Sequence, residues 1–357
     1  MIMPEQPQEP HKRRVRYSGT HPRRFEEKYK ELNPEKFAGA IERITAKGLT
    51  PAGTHRPVCV REIIDILHPK PGETGLDATL GFGGHAGEIL PLLRPGGRLF
   101  AVDVDPVELA RAEARLRGLG FSGAELIVRK MNFAGIAGLL PEAGGGFDLV
   151  LADLGVSSMQ LDNPARGFSY KFDGPLDLRL NPSRGTSAAE LLKSASAAGL
   201  AKILADNADE PHAEAVAKAV KACSPPVRTT AQLAAVVAQA LKNLPEKIND
   251  NAVKKSLQRV FMALRISVND EFSALDRFLE MLPWCMKPGA RAAILSFHSG
   301  EDRRVKKSFL KGLTSGIYSA AAPSPLRPGP EERRSNPRSS CAKLRWAVRS
   351  AAPMPGA

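Results

Sequence analysis

Between residues 75 and 153 the chain alternates short apolar runs with stretches of helical spacing, and a glycine-rich turn follows the first run directly. The runs at 75–80, 98–103, 125–129 and 147–153 have the length of strands, while 84–93, 106–117 and a shorter piece near 133–140 carry apolar residues at helical intervals. Strict alternation predicts a parallel sheet with helices on both faces, because parallel neighbours can be joined only by a crossover. A helix over 58–67, stopped by Pro69 and Pro71, precedes the alternation. Residues 187–243 are rich in Ala, Leu and Lys at helical spacing and broken at Pro211 and Pro225-Pro226. With no convincing strand, they read as an inserted helical domain. The sheet pattern then resumes with a helix over 256–282 and a buried strand at 291–297. A basic loop containing Pro323, Pro325, Pro328 and Pro330 follows, and 343–349 alternates as an edge strand does.

With 357 residues, 43% of them apolar, the chain has ample material for a core. No window approaches the roughly 18 uninterrupted apolar residues of a membrane span. The first 24 residues are polar and basic without an apolar segment, which excludes a secretory signal peptide and points to a cytoplasmic protein. Cys59, Cys223, Cys285 and Cys341 form no C-x-x-C and sit near no cluster of histidines, so reduced thiols are expected and neither a zinc site nor any other metal site is indicated. The net charge of +13 is concentrated at the ends: twelve Lys/Arg against two acids from Arg303 onward, and eleven against seven in residues 1–54. Basic ends around a neutral body suit a protein that follows a phosphate backbone, though a solubilising tail has the same composition.

The first strand runs into Gly81-Phe82-Gly83-Gly84-His85-Ala86-Gly87, where side chains would block the approach of a nucleotide-like ligand to the backbone. Nineteen residues after Gly84 the second strand ends at Asp103, whose carboxylate can accept hydrogen bonds from both ribose hydroxyls. Glycine loop and acid together mark an adenosine site. NAD and S-adenosylmethionine could both use it; Asp77, just before the loop, would repel a pyrophosphate but favours a donor carrying ammonium and sulfonium charges, so S-adenosylmethionine is the expected cofactor. The fourth strand delivers Asp153-Leu154-Gly155-Val156-Ser157-Ser158 at its carboxyl end, where open parallel sheets place reacting groups. These residues could also merely cap a following helix. The segment 159–179 is too dense in Gly, Pro, Asp and Arg for an ordinary connector.

Seven segments, T-L-G-F-G-G-H, D-L-G-V-S-S-M-Q-L-D, R-G-F-S, D-G-P-L-D-L-R, A-L-R-I-S-V-N-D-E, S-F-H-S and N-P-R-S-S-C-A-K-L-R, resemble in the same order those of the MraW family of small-subunit ribosomal RNA methyltransferases. The likeness spans roughly residues 55–349. It implies an α/β fold, a class I (Rossmann-like) methyltransferase sheet with an inserted helical domain. A basic N-terminal extension would occupy 1–54, the methyltransferase domain 55–160 and 262–349, a mostly helical substrate-recognition region 161–261, and a tail 350–357. It further implies methylation of the exocyclic N4 of a cytidine in the decoding centre. The partner would be small-subunit ribosomal RNA or a ribosomal particle, with no membrane and with monomer and homodimer both open. By the same likeness Gly83, Gly84, His85, Asp103, Phe133, Asp153 and Gln160 would bind the cofactor. The chain departs from the family's pattern at Gly300, where a Leu is usual, at 207–210, at 258–266, and at Ser340 and Cys341.

A cytosine amino group delocalises its lone pair into the ring, so catalysis requires an acceptor that pulls on N–H while the base is held in line with the methyl. Asp153 is the expected positioning group, with Ser157 and His298 near the base. Arg166, Arg179, Arg265 and the tail arginines are candidate phosphate contacts. A different nucleic-acid target, or a non-catalytic assembly factor, are the competing readings.

Overall fold

The computed structural model describes residues 57–352; the expected extension at 1–54 and residues 353–357 of the tail lie outside them. Helix α1 (Val60–Leu67) leads into a sheet built from β1 (Thr74–Asp77), β2 (Arg98–Asp103), β3 (Leu126–Lys130), β4 (Phe147–Asp153), β5 (Met286–Ser296), β6 (Tyr318–Ala321) and β7 (Lys343–Arg349). Its order is β3-β2-β1-β4-β5-β7-β6. The first five strands in that order are parallel, and β7 runs antiparallel to both β5 and β6. The order reverses between β1 and β4, which opens a crevice at their carboxyl ends.

Residues of β4 alternate between two cores. Val150 and Ala152 join Leu76, Phe100 and Ile294 on one face, covered by Phe278 and Leu282 of α11 (Glu271–Cys285). Leu149 and Leu151 join Leu99 and Leu295 on the other, covered by α1, by Ile89 and Leu93 of α2 (Gly84–Leu93), and by Leu116 of α3 (Pro106–Gly118). Burial on both faces is why these strands read as continuous apolar runs. After β3 comes a 3₁₀ segment, Phe133–Leu139, then the short α4 (Leu140–Ala143), in place of the single expected helix.

Between β4 and β5 lie α5 (Ser158–Asp162), α6 (Ala188–Ser194), α7 (Ala197–Ala208), α8 (Ala213–Lys221), α9 (Thr230–Lys242) and α10 (Asp250–Asn269). They share a third core, with Leu200, Leu204, Val216, Leu233, Val237 and Leu264 packed around Phe168, Leu176 and Leu178 of the long loop. The dense 159–179 segment is therefore anchored on the helical region. The boundary expected at 261/262 falls inside α10, and the helix expected over 256–282 is two helices, broken where Asp270 adopts a left-handed backbone (φ 49°). No helix among the described residues is long and apolar enough to cross a membrane.

The strand at 343–349 is not the edge. It lies between β5 and β6, and the edge strand β6 sits in the stretch expected to be loop. The misleading alternation comes from buried arginines: Arg345 is 5% exposed and donates to Asp302 Oδ1 at 2.6 Å, and Arg349 is equally buried among carbonyl acceptors. Helix α12 (Ser299–Thr314) packs against β6 through Gly312, where a Cβ would stand 2.3 Å from Tyr318 Cδ2. Gly312→Ala should thus cost about 1–3 kcal/mol by overpacking. A urea midpoint equal to that of the unsubstituted chain would place β6 elsewhere.

Candidate functional site

Asp77, Asp103 and Asp153 end β1, β2 and β4, three neighbouring strands, and so meet at the crevice. The glycine loop turns there with left-handed backbone at Gly81 (φ 50°) and Gly83 (φ 76°). Asp103 is held from two sides: Oδ2 accepts from the Gly81 amide at 2.7 Å and Oδ1 from the Asp105 amide at 2.9 Å. Each oxygen keeps a further lone pair. Burial, only partly offset by those amides, pushes the Asp103 carboxyl up to about 6. Arg115 of α3 braces the loop from behind, donating Nε to the Phe82 carbonyl at 3.1 Å and Nη2 to that of Gly83, with its guanidinium 4.8 Å from the Phe82 ring centroid. A Cβ at Gly83 would press on Leu116 at 3.1 Å and Arg115 at 3.2 Å, and one at Gly84 would meet Pro57 at 2.5 Å, so the left-handed turn calls for glycine at 83 and packing calls for it at 84.

His85, in the first turn of α2, is buried and its Nε2 lies 2.9 Å from the Val58 carbonyl. A carbonyl only accepts, so Nε2 carries the proton and Nδ1 faces Asp153 Oδ2 at 3.6 Å as a lone pair. Burial holds the imidazole below its ordinary pKa and therefore neutral. The Asp153 amide donates to Thr79 Oγ1 at 2.6 Å, which ties the ends of β1 and β4 together. Asp153 Oδ1 is buried and has no hydrogen-bond partner among the described residues. Desolvation first, and the charge of Glu301 second, push this carboxyl up to about 7. Asp77, 1% exposed, accepts from the Thr79 amide at 3.1 Å and is raised to about 7 by burial, which that amide only partly offsets.

The wall of the crevice is organised by a residue that the motif reading passed over. Asp105 is fully buried; Oδ1 caps α3 by accepting from the Val107 amide at 2.9 Å, and Oδ2 accepts from Gln160 Nε2 at 2.7 Å and Arg166 Nη1 at 2.8 Å. Arg166 then donates Nη2 to the carbonyls of Arg179 and Leu180 at 3.0 and 2.8 Å. An acid directly before Pro106 at a helix start is a cap signature that could have disclosed it.

The expected site residues separate into two groups. Gly83, Gly84, His85, Asp103 and Asp153 converge on the crevice, and Phe133, just past β3, packs edge-on against Phe278 with centroids 5.3 Å apart. Ser157 and Gln160 form a capping box at α5, the Ser157 hydroxyl accepting from the Gln160 amide at 3.1 Å and Gln160 Oε1 from the Ser157 amide at 2.8 Å. The helix-capping alternative is thus realised for Ser157. His298 follows β5, with Nε2 3.2 Å from Glu301 Oε1 and its ring 5.7 Å from that of Phe272. Phe272 also explains Gly300: a Cβ there would lie 2.5 Å from the phenyl ring, which fills the space a larger residue would need.

Three expected phosphate contacts are corrected. Arg166 pairs with Asp105, Arg179 with Asp177 at 2.7 Å and Arg265 with Glu271 at 2.8 Å, all with side chains less than a quarter exposed. Arg338 of the tail donates to Asp162 at 2.6 Å, whereas Arg333 and Arg334 are exposed. Glu271, His298 and Glu301 do bring potential ligand atoms within 4.8 Å of one another, as do Cys59, Glu62 and Glu332, clusters invisible in the sequence spacing. Arg265 engages both oxygens of Glu271 at 2.8 Å, so the first cluster is already charge-paired.

The sequence profile described as the MraW methylase family matches residues 52–350. Ribosomal RNA small subunit methyltransferase H 2 of Alkaliphilus metalliredigens is 52% identical over 348 residues, covering 96% of this chain and 99% of its own. Ribosomal RNA small subunit methyltransferase H 1 of Lachnoclostridium phytofermentans is 51% identical over 351 residues, covering 97% and 96%. At such coverage the likeness includes most of residues 1–54, which the motif resemblance did not reach.

Removing the Asp105 carboxylate leaves Arg166 unpaired in the interior, so Asp105→Ala should lose about 3–5 kcal/mol of unfolding free energy. A loss below about 1 kcal/mol, the scale of an exposed pair, would contradict the role of Asp105 as the organising residue.

Proposed function

The chain belongs to the MraW methylase family, and from that premise we propose that it is an S-adenosylmethionine-dependent methyltransferase acting on the exocyclic N4 of a cytidine in the decoding centre of small-subunit ribosomal RNA. The observation that carries the reading is the orphaned Asp153 Oδ1, a buried acceptor at the switch point of the sheet with no protein donor among the described residues. An exocyclic amine is the donor it lacks.

The cradle fits the cofactor's parts. The lone pairs left on Asp103 suit ribose hydroxyls, the left-handed glycines let the backbone approach closely, and Phe133 can flank the adenine. Asp77 and Asp153 supply negative charge toward a cationic donor. His85 works by anchoring the first turn of α2 to the Val58 carbonyl beside the glycine loop, and Gln160 by holding Asp105 and the wall of the crevice. When bound, the cofactor supplies an electrophilic methyl group on a sulfonium.

The base must leave its stack to enter such a pocket. Asp153 Oδ1 accepts one N–H of the amine and turns its lone pair toward the methyl carbon. Transfer of the methyl would leave the amine nitrogen with a proton to shed, and the Asp153 carboxyl, which burial pushes up to about 7, is matched to receive it. Ser157 retains its O–H as a donor beside the cap, and His298 borders the same mouth from the end of β5; both would hold the base. A ribosomal RNA substrate and a freely diffusing donor both suit work in the cytoplasm.

Nucleoside mass spectrometry of small-subunit RNA with and without the gene tests the target: loss of N4-methylcytidine is expected, and loss of a different modified nucleoside would replace it. Asp103→Ala should weaken S-adenosylmethionine binding by roughly 1.5–3 kcal/mol, the scale of hydrogen bonds to a charged group; unchanged affinity by calorimetry would move the ribose elsewhere. The raised carboxyls also give binding a pH dependence of defined sign. The cationic donor prefers ionised acids, so affinity should rise as pH increases from 5.5 to 8 through the values of about 6 for Asp103 and about 7 for Asp77 and Asp153. S-adenosylhomocysteine, lacking the sulfonium charge, should show a smaller rise. A flat profile for both would mean that the acids are ionised throughout.

A further inference from the structure

With Arg166, Arg179 and Arg265 committed to Asp105, Asp177 and Glu271, the charge that holds an RNA strand must come from elsewhere. Helix α12 offers it. Val305, Phe309 and Gly312 form its buried stripe, and the opposite side exposes Lys306, Lys307 and Lys311. Among the described residues none of these three lysines has an ion-pair partner, whereas Arg304 is paired with Asp276 at 3.2 Å and Arg303 stands 3.8 Å from Asp209. The helix's two acids, Glu301 and Asp302, are buried in its first turn and face His298, Lys343 and Arg345. The exposed face is therefore uniformly positive.

Its position matters as much as its charge. Helix α12 starts at Ser299, directly after His298 and the carboxyl end of β5, the strand paired with the one that delivers Asp153. At about 1.5 Å per residue the lysines lie roughly 10–18 Å along the helix from that mouth, with Lys307 and Lys311 about 6 Å apart. A strand leaving the pocket would meet them within a few nucleotides. Leu310 and Leu313 are exposed between the lysines, but two leucines so interrupted do not make the continuous apolar patch that marks a protein interface. A second copy of this face would set lysine against lysine.

We propose that the exposed face of α12, through Lys306, Lys307 and Lys311, is a docking track for the phosphodiester backbone of the RNA that flanks the target nucleotide. The inference rests on the RNA-methyltransferase reading and names where the substrate lies outside the pocket.

The test compares the full chain with its K306Q/K307Q/K311Q variant, using a transcribed small-subunit RNA fragment that carries the decoding-centre segment. Each lost phosphate contact lowers the slope of log K against log salt by about 0.7–0.9, so the variant's slope should fall by about two to three and its affinity at physiological salt by tenfold or more. Its S-adenosylmethionine affinity, measured by calorimetry, should match the parent's, which shows that the fold is intact. The K306R/K307R/K311R variant should keep the parent slope. An unaltered slope in the glutamine variant overturns the track, and so does a change in sedimentation without a change in slope, which would make the face a contact between copies. Failure of the unsubstituted protein to methylate any small-subunit RNA would sink the functional reading instead.

Discussion

One buried carboxylate, that of Asp105, sets the shape on which the rest of the crevice depends. It starts α3, receives Gln160 from α5 and receives Arg166 from the long loop, so the start of α3 is joined at two oxygen atoms to a stretch 55 to 61 residues further along the chain. Each connection has a consequence. Starting α3 aims Arg115 at the glycine loop, holding Gln160 completes the cap next to Asp153, and fixing Arg166 pins the carbonyls of Arg179 and Leu180 beside the helical core. A charge so deeply buried is tolerated only because Arg166 and the helix amides satisfy it. The helical region and the sheet thus share a joint at the site itself.

Around that joint the protein gathers acids that burial makes reluctant to ionise. Asp77 and Asp153 are held near 7 and Asp103 near 6, while His85 is kept neutral. A cationic methyl donor relieves this frustration, because its charge favours the ionised forms. The same arrangement leaves Asp153 poised between accepting a hydrogen bond and accepting a proton, the property an amine methylation needs.

Much of this is legible in the sequence. Strands β2 and β4 and helix α2 fall where the apolar runs and the glycine turn put them, since burial on both faces leaves an unbroken pattern. The convergence of Asp103 and Asp153 followed from their places at strand ends. What stayed hidden was pairing at a distance. An arginine in an Arg-Gly-Phe-Ser segment looks like a phosphate ligand until Asp105, 61 residues earlier, is seen beneath it. Strand β7 has the alternation of an edge because Arg345 interrupts its apolar residues, but Asp302 neutralises that arginine inside. Strand β6, Tyr-Ser-Ala-Ala, is too short to carry a period, and Asp270 carried no warning of the left-handed turn that splits α10 from α11.

The central claim is that Asp153 Oδ1 positions the acceptor amine rather than merely supporting the cofactor. Asp153→Asn preserves the shape and removes the charge, and single-turnover methylation of small-subunit particles, read as N4-methylcytidine by mass spectrometry at saturating S-adenosylmethionine, isolates the chemical step. The account predicts a rate lowered by about 10²–10⁴-fold that more donor does not restore, with RNA affinity near that of the parent, as expected for an interaction made chiefly in the transition state. A rate that returns to the parent's value at saturation would show that Asp153 only holds the donor.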